Sequence, residues 1–163
     1  MLIDEDVLDA LEAAADEPEL TRSSFWKTEL EGFSFTAKGE MTGLICVGSV
    51  SKKIKPHHNA INWLLQLPYR IIARKIQNFS ECDRLARVVA ERQERLFTLD
   101  MLRQALGLAI IKDYLAFTDL DGANLVIGDG YGVMTSLLKL SDPTRTLIVV
   151  NLTTPLLIDL VYA

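Results

Sequence analysis

Three glycines on every second position, Gly128, Gly130 and Gly132, with Asp129 and Tyr131 between them, are the residues best placed to do chemistry in this chain. Glycine accepts positive φ and lets a ligand or a neighbouring backbone come close. The stretch behind them has helical character, and a helix start offers N–H groups and the positive end of its dipole to a polar ligand. Asn151 closes a second apolar run, at about the spacing, ~20 residues, at which nucleotide-binding folds place the group that meets a ribose. As a neutral group, asparagine accepts a hydrogen bond less strongly than a carboxylate does. The competing reading is structural: the glycines let a helix pack closely on a strand and nothing more.

Such a loop needs a strand in front of it and a helix behind. Leu125-Val126-Ile127 reads as a short buried strand, and residues 133–140 read as the helix. Ser141-Asp142-Pro143 is a turn, and Thr146-Leu147-Ile148-Val149-Val150 reads as a second buried strand. Thr153-Thr154-Pro155 opens a last helix, which is apolar nearly all round and expected to be poorly covered. The two strands, near 124–128 and 146–151, are expected to be parallel and adjacent, joined by the helix as a crossover. Parallel strands are normally buried on both faces, and both runs are apolar enough for that.

Val126-Ile127-Gly128-Asp129-Gly130-Tyr131-Gly132, then Leu137-Leu138-Lys139-Leu140, then Ile148-Val149-Val150-Asn151-Leu152 together resemble class I S-adenosylmethionine-dependent methyltransferases, and among them the bacterial sugar O-methyltransferases. The resemblance implies an S-adenosylmethionine cradle formed by Gly128, Asp129, Gly130, Tyr131, Gly132 and Asn151. It also implies a sugar or polysaccharide precursor as acceptor. The chemistry would be attack of a hydroxyl oxygen on the sulfonium methyl group, which requires alignment and usually a base. Two positions depart from the family pattern: Val126 stands where an acid is usual, and Asn151 where an aspartate is usual.

The fold expected from this likeness is α/β. A mainly helical N-terminal region, 1–120, leads into the first βαβα of a Rossmann-like methyltransferase fold, 121–163, truncated before the rest of its sheet. The half that would hold the acceptor pocket and the base is then missing, so no catalytic residue is assigned. An enzyme completed by that half is one reading. A non-catalytic binding or regulatory module with a degenerate cradle, paired with another subunit, is the alternative, and an inert fragment is a third. Open sheet edges invite self-association or a partner that supplies more strands.

The composition narrows the class. The 163 residues are 49% hydrophobic, which excludes a disordered chain. No apolar run approaches the length of a membrane span. The N-terminus is acidic where a secretory signal would be basic, and a cytoplasmic protein is expected. Cys46 and Cys82 make neither a disulfide framework nor a metal-ligand spacing, and no metal is expected. A net charge of −5 gives no reason to expect a nucleic-acid partner. That charge is uneven. The first twenty residues carry eight acids and no Lys or Arg, whereas the interval between Glu40 and Glu81 holds no acid and six bases. Each segment reads first as a solvated face. The sharper reading is that the basic segment meets an anionic partner or the acidic N-terminal helix.

Along the rest of the chain, residues 4–16 read as an acidic amphipathic helix with Val7, Leu8 and Leu11 on one face. Alternation at Phe33, Phe35 and Ala37 suggests one arm of a hairpin, with Leu44–Val47 as the other. Residues 57–77 read as a helix broken at Pro68, with the adjacent His57 and His58 as surface residues near its start. Ser80 is the expected cap of a helix 81–95, and Thr98 of a strongly apolar, largely buried helix 99–117.

Overall fold

A computed structural model describes residues 56–115 and 121–163, together with Asp6, Asp9, Ala13 and the short stretches 34–35 and 41–42. In 34–35, 41–42 and 56–58, and at Thr153, Thr154, Leu157 and Val161, it describes the backbone alone. Asp6 and Asp9 are helical and exposed, as the acidic N-terminal helix requires.

Two strands, β1 (Ser34–Phe35) and β2 (Met41–Thr42), pair antiparallel with Phe35 opposite Met41. The first arm is the one expected. The second arm begins at Met41, and the expected arm 44–47 lies outside the described residues.

Helix α1 (Pro56–Ala73) runs through Pro68 without the expected break. Proline removes one backbone hydrogen bond and crowds the preceding turn. Pro68 is exposed, so water can reach the carbonyl it leaves unpaired. Helix α2 (Phe79–Arg92) starts before Ser80, which therefore lies inside the first turn. Asn78 precedes it with no side-chain cap, its amide being donated instead to Asp113. Helix α3 (Leu99–Leu115) is capped by Thr98, whose hydroxyl accepts the N–H of Met101 at 3.3 Å. Met101, Leu102, Ala105, Leu108 and Ala109 bury one side of α3. The helix is less buried than the expected, largely buried one in its second half, where Ile110, Ile111, Tyr114 and Leu115 are exposed.

Later in the chain β3 (Asn124–Ile127), α4 (Val133–Ser141), β4 (Leu147–Val150) and α5 (Thr153–Tyr162) follow. Strands β3 and β4 are parallel and adjacent, in register from Asn124 opposite Leu147 to Ile127 opposite Val150. The chain is thus a mixture of helices with a small two-stranded parallel sheet among the described residues, an α/β arrangement. Helix α4 covers one face of that sheet and packs in turn on α2 and α3. A single core cluster joins the helical part to the strand part, with Val89, Leu102, Leu108, Leu137 and Ile158 all at 2% exposure or less.

Burial on both faces of the sheet does not occur. Val126 is buried under α4, while Leu125 and Ile127 are 59% and 72% exposed, and Ile148 and Val150 are both 48% exposed. The physical reason is that no second layer covers that face among the described residues. The last helix departs from expectation the other way. Pro155, Ile158 and Asp159 are buried, so α5 is well seated.

Candidate functional site

The glycine loop leaves the C-terminal end of β3 and turns into α4. Gly128, Gly130 and Gly132 all have positive φ, at 69°, 85° and 61°. Two of them keep their surroundings open and one does not. A Cβ added at Gly128 or Gly130 would meet nothing within 4 Å. At Gly132 it would come within 2.5 Å of the Asp159 carbonyl oxygen and 2.9 Å of the Ala163 nitrogen. The close-packing reading therefore holds for Gly132, which lets the end of α5 lie against the loop. Gly128 and Gly130 face free space.

The expectation that the start of α4 offers free N–H groups is overturned. The Asp129 carboxylate accepts the N–H of Met134 at 2.9 Å and that of Thr135 at 2.6 Å. The N–H of Gly132 donates to Asp159 Oδ1 at 3.2 Å. Two acids thus take the amides and the dipole end that would otherwise hold an anion. A phosphate is a poor guest here.

Asp159 is the functional residue that the sequence reading missed. It is 1% exposed and touches both halves of the candidate cradle. Its Oδ2 accepts the side-chain N–H of Asn151 at 2.8 Å, while Asn151 Oδ1 accepts the backbone N–H of Leu152 at 2.9 Å. Burial pushes the Asp159 carboxyl up to about 6, and the nearby Asp129 carboxylate adds to that push. Asn151 and the amides of Gly132 and Gly130 oppose it by favouring the charged form. A signal was present in the sequence. Asp159 is the only charged residue after Arg145, and it shares a helical face with Pro155, Ile158 and Tyr162.

Tyr131 turns away from the open side of the loop. It is 9% exposed, with its ring centroid 5.6 Å from that of Tyr162 in an edge-on arrangement. The Arg95 guanidinium lies 4.1 Å from the Tyr131 ring centroid. Burial pulls that guanidinium below its ordinary value, and the two tyrosines work against the shift. Gln93 donates to the carbonyl oxygens of both Tyr131 (3.1 Å) and Tyr162 (2.7 Å), tying the loop to α5. Gln93 and Arg95 follow the end of α2, where Glu94 takes a φ of 52° to redirect the chain. Nothing in their types or spacing announced this role.

On the open side, a cleft of about 500 Å³ runs along β3 between α3 and α4, bordered by Gln104, Leu108, Ile111, Gly128, Asp129 and Met134. Gln104 Oε1 is buried there with no hydrogen-bond partner among the described residues. Of the six residues expected to form a cradle, Gly128 and Asp129 border this cleft. Asn151 and Gly132 are joined to each other through Asp159. Val126, at the position where the resembling family has an acid, points under α4.

No family model matches the chain, and no curated protein or solved structure is found to be similar to it.

Proposed function

We propose that the loop from Gly128 to Gly132 is a cofactor cradle of the class I methyltransferase type, which binds S-adenosylmethionine in a Rossmann-like βαβ unit and serves methyl transfer to a sugar hydroxyl. The observation that carries this reading is the open space over Gly128 and Gly130 at the C-terminal end of two parallel strands. In open α/β sheets, ligands bind at that end.

The electrostatics favour this ligand over a dinucleotide. A loop whose amides are already taken by Asp129 and Asp159 repels a pyrophosphate, whereas a cationic sulfonium and an ammonium group are suited to an acidic rim. The neighbouring cleft is mainly apolar, with a few polar handles such as Gln104 and Asp129, as small-molecule sites usually are. The chain supplies binding and orientation here. Asn151 would meet a ribose hydroxyl through its second amide N–H, keeping its bond to Asp159.

The test is titration with S-adenosylmethionine and with S-adenosylhomocysteine while the melting temperature is followed. A saturable rise with either compound is expected. A flat response to both would sink the proposal, and so would an equal rise on NADH.

A second reading is a binding module that pairs with another subunit. The outer face of the sheet, with Leu125, Ile127, Ile148 and Val150 in solvent, favours it. Light scattering over a concentration series separates the two: this reading expects association that tracks substitutions on the outer sheet face and ignores the nucleoside.

A further inference from the structure

Strand β3 pairs along one edge only among the described residues. The N–H groups of Asn124 and Gly128 donate to the carbonyl oxygens of Thr146 and Val150, both at 2.9 Å. In a parallel ladder, every second residue turns its main-chain groups to the same neighbour. Asn124, Val126 and Gly128 therefore face β4, and the N–H and C=O groups of Leu125 and Ile127 face the other way. On that side lies the cleft of about 500 Å³, which follows the chain from Ala123 to Asp129. Its opposite walls are apolar, with Leu108 and Ile111 from α3 and Met134 and Leu138 from α4. Gln104 of α3 borders the same cleft, and its Oε1 is buried without a hydrogen-bond partner among the described residues.

We propose that the free edge of β3 is a docking site for an extended segment of a partner protein, which lies in the cleft and adds to the sheet as a third strand. Three properties select that occupant. The first is the repeat of main-chain groups. Leu125 and Ile127 each offer one N–H and one C=O, and the two sets stand about 6.6 Å apart, the span of two strand residues. A small molecule matches one such set, whereas an extended polypeptide matches both. Strands added in this way draw affinity from the main-chain bonds and specificity from alternate side chains. The edge also lacks the usual protection, since Asn124–Ile127 contains no charge and no proline.

The second property is the wall. Side chains that a third strand turned inward would rest on Leu108, Ile111 and Leu138, so the segment carries apolar residues at every second position. The third is charge. Asp129, at the glycine-loop end, is the only charged residue bordering the cleft, so a segment with Lys or Arg at that end and no acid is complementary. A second copy of the chain fits less well. Pairing two β3 edges about a two-fold axis would drive the α3 helices into one another, because α3 walls the cleft beside each edge. The free edge of β4 could enter only head to tail, a contact that grows into filaments instead of closing. The added strand would lie beside Leu125 to Ile127 and leave the space over the glycine loop free, so docking is independent of cofactor binding.

The test adds a peptide with blocked ends, Lys-Thr-Val-Thr-Val-Thr-Lys, to the full chain and follows amide hydrogen exchange residue by residue. In the free chain the amides of Leu125 and Ile127 should exchange about tenfold or more faster than those of Val126 and Gly128, which are bonded to β4. Saturating peptide should slow Leu125 and Ile127 by about tenfold or more and leave Val126 and Gly128 unchanged. Two further peptides carry N-methyl groups on the valines or on the threonines. One should bind and the other should not, because a strand pairs through the N–H groups of every second residue. Ile111→Gln should weaken binding by about tenfold with the melting temperature nearly unchanged, since that side chain is 37% exposed in the free chain. Protection of Leu125 and Ile127 without peptide overturns the proposal, and so does no added protection at saturating peptide or equal binding by the two methylated peptides. Light scattering that grows with protein concentration and falls on adding the peptide overturns it in favour of a second copy.

Discussion

Helices α1 and α5 are both rich in large apolar residues, and they use them in opposite ways. Helix α5 turns Pro155 and Ile158 into the core and takes one acid, Asp159, in with them. Helix α1 turns Asn62, Gln66 and Arg70 inward and leaves its large apolar residues in solvent. In both cases the inward polar group meets a backbone group that would otherwise lack a partner. The carbonyl of Phe97, between α2 and α3, needs donors, and α1 supplies two. The amide of Gly132 needs an acceptor, and α5 supplies Asp159. Unpaired buried backbone groups are costly enough to decide which face of a helix turns in. The difference is that α5 keeps its apolar contacts as well, whereas α1 exchanges them for hydrogen bonds.

The sharpest way to break this comparison is at Gly132. Gly132→Ala combines positive φ with a Cβ only 2.5 Å from the Asp159 carbonyl oxygen. The expected loss is about 3 kcal/mol or more, read from denaturant midpoints. Gly130→Ala keeps the strained φ but enters open space, and should cost only about 1–2 kcal/mol. Equal losses at the two positions would mean that α5 does not press on the loop.

The next largest effect belongs to pH. The Asp159 carboxyl is raised from 3.8 to about 6 in the folded protein. The fold therefore favours the protonated form. The associated stability is fully present below about pH 4 and is lost as pH rises through about 6, a difference of roughly 3 kcal/mol. Asp159→Asn should flatten the dependence of the melting temperature on pH in this window. A wild-type curve already flat there would contradict the burial of the acid.

Asn151→Asp is expected to be smaller. The substitution sets a second carboxylate about 2.8 Å from the first. Like charges at that range disfavour each other, so roughly 1–3 kcal/mol should be lost at pH 7 and much of it regained at pH 5, where a shared proton relieves the pair. A variant equally stable at both pH values would place Asn151 away from Asp159.

On α1 the ordinary ranking should invert. Gln66→Ala leaves Arg70 and the Phe97 carbonyl each short of a partner and should cost about 1–2 kcal/mol. Leu64→Ala, at 61% exposure, should fall within about 0.5 kcal/mol of wild type. A costly Leu64→Ala would show that its stripe is packed within the folded chain.

What the sequence made legible follows the same division. The parallel pairing of 124–127 with 147–150 could be read from two apolar runs around a glycine turn, because that arrangement satisfies few alternatives. The cap at Thr98 was legible for the same local reason. The inside-out mounting of α1 was not, since the period of its apolar residues is the same whichever side faces in. The choice depends on the Phe97 carbonyl, distant in sequence. Asp159 was hidden because a lone acid in an apolar helix usually faces water, and the Asn151 amide and the glycine N–H groups that make its burial tolerable are distant in sequence. The exposed sheet face went unforeseen because the strands carry the composition of a two-sided sheet, whereas only one side is covered among the described residues.

The most direct measurement of the central claim is equilibrium binding of S-adenosylhomocysteine, by calorimetry, to the wild-type chain and to Gly130→Val. The added side chain would fill the open space over the loop without touching protein atoms at its Cβ. Saturable binding by the wild type, lost in a Gly130→Val variant that retains its helical content, is the predicted result. Equal binding by both proteins, or by neither, would contradict a cofactor cradle at this loop.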